Sequence, residues 1–212
     1  MEFTEKQLQL MNAALEVFAT KGYEKATIRD IAKHAKVNIA MISYYFGSKD
    51  KLLEAIFKNY MEKMNSKITS IITSKTLDPF EKVNLLVDNY IDAVLENKHF
   101  HRLMIREGML LKDGQIYDYI KGMKFQNKNL LSTAVKQGQK KGIFQKNVDV
   151  MMLSTILLGS VNQVFSNNKF IAEAYNIDYH DFELYKEKVI ENLRQHIKII
   201  FKSYLTLNIN QK

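Results

Sequence analysis

Apolar residues recur along this chain in steps of three and four, the period of helices that bury one side. Leu8, Met11, Leu15 and Phe18 form such a stripe behind Thr4 and Gln7, which have the spacing of a capping box. Gly22 is placed to end that helix. Ile28, Ile31, Ala32 and Ala35 form a second, shorter stripe, introduced by Thr27 with Asp30 three residues on. Ala35-Lys36-Val37 has length only for a turn. Asn38 is then a good N-cap for a third helix, Ile39 to about Tyr45, with Ile42 and Phe46 inward beside Val37. That leaves Met41, Ser43, Tyr44 and Tyr45 on the outer face. Gly47 breaks the chain, and Ser48 caps a fourth helix running to about Thr73.

The remainder continues the same period. Asp78-Pro79 opens a fifth helix to about Asn97, lined by Val83, Val87, Tyr90 and Val94. A sixth runs from Phe100 to Leu111 and a long seventh from about Gln115 to Lys141, closed by Gly142-Ile143-Phe144. An eighth spans about Asn147 to Ser166. Asn167 to Asp178 is a loop with room for one extra turn, and Asp181 caps a ninth helix to about Leu207. The pattern predicts an all-α chain of about nine helices. A three-helix head, residues 1–53, shares its fourth helix with a second helical domain, residues 54–212.

Composition narrows the partners. The chain has 212 residues, one Pro and eight Gly, few breakers for its length. It has no Cys, which excludes disulfides and thiolate metal sites and suits a reducing, cytoplasmic setting. The net charge of +8 favours an acidic partner such as nucleic acid. The polar, mixed-charge N-terminus does not read as a secretion leader. The most apolar window, Met151 to Phe165, is too short and too polar to span a bilayer, so no membrane is expected as a partner.

Two short helices joined by a tight turn, the second with an outer face of polar and aromatic residues, suit the DNA major groove. Thr27, Ile28, Ile31, Ala32, Ala35, Val37, Ile42, Tyr45, Phe46, Ser48, Lys49 and Leu52 stand in the order and spacing of one family pattern. On those residues the chain resembles the DNA-binding domain of the tetracycline-repressor family of bacterial regulators. It departs from the pattern at Lys36, where the family has a turn glycine, and at Asn38, Ala40 and Ser43. The resemblance implies a helix-turn-helix head that binds a double-stranded operator. Arg29 would point toward guanine O6/N7, and Met41 and Tyr44 would make apolar contact with bases. Ser43 would donate or accept, and Asn38 would keep the capping oxygen beside the groove. Thr27, Tyr45 and Lys49 would hold phosphates.

The resemblance also implies a homodimer built on the last two long helices. Met152, Gly159, Val189, Leu193, Ile197, Ile200 and Tyr204 are the candidates for that interface. It further implies a mostly apolar cavity for an unidentified small-molecule effector. Polar groups on apolar stripes mark its candidates: Tyr90, Glu107, Asn127 and Gln163, with Tyr60, Met64, Met104, Met123 and Ile156 as apolar lining. The same residues could equally satisfy one another in a core. No cofactor is expected. No metal is expected either, since His99 and His101 at an i, i+2 spacing point to different sides of a helix. The expected function is a ligand-responsive regulator, most simply a repressor, rather than an enzyme. Two other readings stand beside it: a helical small-molecule carrier without specific DNA binding, and an enzyme using Glu107 as acid or base.

Overall fold

A computed structural model describes residues 3–110 and 113–207, and every regular element among them is helical. In chain order these are α1 (Glu5–Lys21), α2 (Ile28–Ala35), α3 (Ile39–Phe46), α4 (Lys49–Thr73), α5 (Pro79–Glu96) and α6 (Lys98–Leu110). They continue with α7 (Gln115–Lys140), α8 (Val150–Ser166), α9 (Asn168–Ala174), α10 (Phe182–Tyr185) and α11 (Glu191–Thr206). The extra turn expected after Asn167 is α9. The expected ninth helix is α10, a π-helical stretch Lys186–Ile190 and α11 in direct succession. The expected end of the sixth helix at Leu111 lies outside the described residues.

Local chemistry starts these helices where the sequence indicates. Thr4 and Gln7 close a capping box at α1, and Thr27 and Asp30 close another at α2. Ser48 Oγ accepts from Lys51 N–H at 3.1 Å to start α4. Asp78 Oδ1 accepts from the N–H groups of Phe80 at 2.7 Å and Glu81 at 2.9 Å, and Glu81 returns a bond to Asp78 N–H. Asp149 caps α8 through Met151 and Met152, two residues later than the start read from the sequence.

The chain divides into two compact units. The first comprises residues 1–66 and 94–123, the second 67–93 and 124–212. The chain enters each unit twice, so no single cut divides them. Residues 54–66 and 94–123, expected with the second domain, pack in the first unit.

In the first unit, Leu10, Phe18, Ile31, Ile42, Leu52, Ile56, Phe57 and Leu103 are fully buried in one cluster. Burial of each such side chain contributes about 1.5–3 kcal/mol, enough to hold helices as short as α2 and α3 that would not persist alone. In the second unit, Val83, Val87 and Ile91 of α5, Leu153, Leu157 and Val161 of α8, and Ile197, Phe201 and Leu205 of α11 are buried. The Gly-x-Phe turn after α7 has a packing reason. Phe144 lies against Gly138, where a Cβ would come within 2.1 Å of the ring, and meets Phe80 edge-on at 4.8 Å.

Two buried cations also stitch the second unit. Lys82 Nζ donates to Ile72 O at 2.8 Å and to Gln137 Oε1 at 2.7 Å, closing the last turn of α4. Arg194 donates to Asp88 Oδ1 at 2.9 Å and Asp92 Oδ1 at 2.7 Å, which ties α11 to α5. Burial opposes the Arg194 charge, but the bonds to Asp88 and Asp92 outweigh it and raise its pKa. Neither cation was singled out from the sequence, because a Lys or Arg on a helix reads as a solvated face until its partner is known.

Candidate nucleic-acid interface and effector-facing residues

Caps at both ends of α2 and at the start of α3 set the turn between them. Thr27 Oγ1 accepts from Asp30 N–H at 3.1 Å while Asp30 Oδ2 accepts from Thr27 N–H at 3.0 Å. The Lys21 ammonium, 2.5 Å from Asp30 Oδ1, and the bonds from Thr27 hold that carboxyl down at about 2, so the cap is ionised at neutral pH. Lys36 ends α2 in the left-handed region at φ 53, ψ 46, the conformation the family's turn glycine supplies. Val37 N–H reaches back to Ala32 O at 3.0 Å. Asn38 Oδ1 then accepts from Ala40 N–H at 2.9 Å. That oxygen is committed to the cap, which leaves the amide nitrogen as the group Asn38 can offer outward.

On α3, Ile42 and Phe46 are buried, Met41 and Tyr45 are half-buried, and Ser43 is exposed. Tyr44 is 83% exposed, held edge-on to Tyr45 at 5.1 Å. Arg29 and Thr27 are exposed on the first turn of α2. The outward face is therefore built from the residues the spacing indicated, together with the exposed Ile39 and Ala40. Ile39 shares the helical phase of Ile42 and Phe46, yet it is exposed because it lies on the first turn, beyond the reach of the core.

Lys49, expected to hold a phosphate, has contacts within the chain. Its ammonium donates to Tyr23 O at 3.0 Å and Ala26 O at 3.2 Å and lies 4.2 Å from the centre of the Tyr23 ring. Two of its three donors close the loop before α2, so its charge is directed into the head.

The effector candidates fall into separate sets. Tyr60, Met64, Met104 and Met123 all pack in the apolar cluster of the first unit. Tyr60 stacks on Phe100 at 4.3 Å, and Phe57 meets both Phe100 at 5.3 Å and Tyr119 at 5.6 Å. Burial raises the Tyr60 phenol pKa. Glu107 does not join them as a ligand-reading group. It is 3% exposed, and its Oε1 accepts from Tyr23 N–H at 3.2 Å, across 84 positions of sequence. That partner could not be read from helical spacing.

In the second unit, burial strongly raises the Tyr90 phenol pKa. Asn127 Oδ1 is buried without a hydrogen-bond partner, and so is Asn162 Oδ1. Such an orphaned acceptor is costly unless something donates to it. Gln163 and Ile156, expected to face an effector, are exposed along one stripe with Met152 and Gly159. The inward polar group of this turn is Asn162, one residue earlier. Sequence reading missed it because α8 is apolar on more than one side.

That stripe changes the dimer candidates as well. Met152, Ile156, Gly159 and Gln163 follow steps of four, three and four residues on the open side of α8. On α11, Ile199 and Ile200 are exposed and Leu193 is half-buried. Val189 and Ile197 face the chain's own core, so they cannot serve as contact residues without rearrangement. The Tyr204 hydroxyl accepts from Asp149 N–H at 3.1 Å and fastens α11 to the start of α8 within the chain. Among the described residues no cluster of His, Asp and Glu could hold a metal ion, and no helix is long and apolar enough to cross a membrane.

Comparison with known proteins places this geometry. The family model for bacterial regulatory proteins of the tetR family matches residues 10–56, and that for the tetracyclin repressor-like C-terminal domain matches residues 79–200. The fatty acid metabolism regulator protein of Bacillus subtilis is 26% identical over 165 residues, covering 74% of this chain and 80% of the relative. The solved fatty acid degradation regulator FadR from Bacillus halodurans superposes with a TM-score of 0.67 at 24% identity, over 93% of this chain and 97% of that one. FadR from Bacillus subtilis in complex with stearoyl-CoA gives 0.66 at 20% identity, over 93% and 98%. At these identities the structural likenesses establish the shared fold.

Proposed function

The chain belongs to the tetracycline-repressor family of bacterial regulators, and from this premise we propose that it is a ligand-responsive transcriptional repressor that binds a palindromic operator as a homodimer. The carrying observation is the outer face of α3, with Ser43 and Tyr44 exposed, as is Arg29 on α2, on a scaffold closed by its own caps. Arg29 reads guanine edges, and Met41, Ser43 and Tyr44 read neighbouring bases. Thr27, Tyr45 and the Asn38 amide meet phosphates and set the register. A carrier has no use for this face, so that alternative is not favoured. The functional division stays with the head, residues 1–53, and the regulatory part, residues 54–212.

Dimer formation uses the open stripe of α8 together with the exposed side of α11. An isologous pairing of these helices gives the two-fold symmetry a palindrome requires. The effector is apolar in its larger part. The aromatic and methionine residues around Tyr60 and Met64 support that reading. The relatives named for fatty acid metabolism make acyl-CoA thioesters the first class to test.

The test is an anisotropy titration of the protein with the DNA upstream of its own gene, repeated across salt concentrations and then with stearoyl-CoA and shorter acyl-CoAs. Operator binding that weakens steeply with salt and is released by one of the thioesters is the expected result. Equal affinity for operator and random DNA would end the repressor reading. Arg29→Ala should cost about 1–3 kcal/mol of base discrimination.

A further inference from the structure

The loop that joins α1 to α2 is held from both sides by side chains outside the helix-turn-helix. From α6, Arg106 Nη1 donates to Thr20 O at 3.2 Å and Nη2 to Lys21 O at 3.1 Å, the last carbonyls of α1. The next residue, Glu107, accepts from Tyr23 N–H at 3.2 Å, with Arg106 Nε 4.0 Å from the same carboxylate. From α4, Lys49 takes the carbonyls of Tyr23 and Ala26, and the Asp50 carboxylate accepts from the Tyr23 hydroxyl. Gly22 is the residue the guanidinium lies against. It has φ +84, and a Cβ there would sit 2.5 Å from Arg106 Nη2.

These attachments exceed what ending a helix requires. Gly22 N–H already bonds Phe18 O at 2.9 Å and closes α1 without help. Burying the Glu107 carboxylate carries a desolvation cost that an apolar contact between α6 and α1 would avoid. What a buried charged contact adds is geometry: a two-carbonyl guanidinium clamp and a carboxylate on one N–H admit a single seating. The seated loop fixes the last turn of α1, α2 packs on α1, and α3 packs on α2. Lys21, whose carbonyl Arg106 holds, is also the residue paired with Asp30 at the start of α2.

We infer that Arg106 and Glu107 are positioning residues for operator binding: they seat the reading head against α6 and thereby set where α3 points in each half of the dimer. In this role neither side chain touches DNA. The inference rests on the homodimer and operator reading above. Two recognition helices about one DNA turn, roughly 34 Å, apart tolerate little change in attitude. A loosened seat therefore costs the paired site and spares the single one.

The experiment uses duplexes selected from a random pool by the unmutated full chain: the palindrome, one isolated half-site, and palindromes with the spacer lengthened or shortened by a base pair. Arg106→Gln, Arg106→Lys and Glu107→Gln are compared, with thermal midpoints measured in parallel. The palindrome should be bound about tenfold more weakly by Arg106→Gln and Glu107→Gln, within the range of typical couplings between sites. The half-site affinity should stay near that of the unmutated chain, and the preference among spacers should flatten. Arg106→Lys keeps the charge but not the fork, and should behave like Arg106→Gln. Half-site affinity falling in step with the palindrome would assign these residues to general stability and overturn the inference. An unchanged spacer preference would overturn it too. Should Glu107→Gln fail to fold, the two Arg106 variants decide, since that side chain is partly exposed. If the unmutated chain selects no two-half-site duplex, the operator reading itself fails, and this inference with it.

Discussion

Lys36 holds φ 53 and ψ 46, a region where a Cβ costs about 1 kcal/mol or more and where glycine sits at no such cost. The long side chain is exposed and its charge stands at the C-terminal end of α2, so the helix dipole recovers part of that cost. Lys36→Gly should stabilise the chain by up to about 1 kcal/mol in chemical denaturation. An unchanged midpoint would show that dipole and strain cancel. Lys49 makes a different prediction from the one its motif position suggests. Its ammonium bonds two carbonyls and faces a ring, so Lys49→Ala should destabilise the fold by about 1–3 kcal/mol. The slope of operator affinity against salt should hold, because no phosphate contact is lost. A slope reduced by about one unit at unchanged stability would restore the phosphate role.

Single elements decide more than single residues in α8 and α11. Both helices carry apolar residues on two sides, one buried in the chain and one open. Met152 at 54% exposure and Ile156 at 37% mark the open side of α8, while Ile197 at 1% marks the closed side of α11. Charges placed on the two sides should therefore fail differently. Ile156→Glu should yield a folded monomer with its helical circular dichroism intact and weak operator affinity. Ile197→Glu should lose the fold, since a buried unpaired carboxylate costs several kcal/mol. Sedimentation and thermal melting separate the outcomes. A dimer that survives Ile156→Glu would move the interface away from α8.

At the scale of the whole molecule, regulation needs a part shared by reading and sensing. Helix α4 begins in the head at Lys49 and carries Tyr60, stacked on Phe100 of α6, and Met64 further along the same apolar cluster. A ligand that displaces this cluster displaces a stiff rod whose other end seats the loop before α2. Coupling of about 1–3 kcal/mol suffices, and operator must then weaken effector binding by the same factor. Tyr60→Ala or Met64→Ala should change the effector concentration needed for release while ligand-free operator affinity stays near normal. Titrating the operator complex with effector, and the free protein with the same effector, checks both directions. Identical release curves with intact effector affinity would show that the signal bypasses this cluster.

The order of the helices, most of their starts and the helix-turn-helix were legible in the sequence, because a cap or an i, i+4 stripe is decided within a turn of chain. Thr27 and Asp30, Asn38, Gly47 and Asp78-Pro79 act on backbone groups two to four residues away, and their geometry follows from residue type alone. Partners far along the chain were not legible. The Glu107 carboxylate meets an N–H 84 residues earlier, Arg194 meets carboxylates 106 and 102 residues earlier, and Lys49 turns into a loop 26 residues before it. Periodicity states that a helix has an apolar side. It does not state which of two apolar sides the chain buries, so Ile156 and Gln163 read as interior while Asn162, one position away, held that place. Only packing chooses between them, because burial is a property of what lies opposite a residue and not of the residue itself.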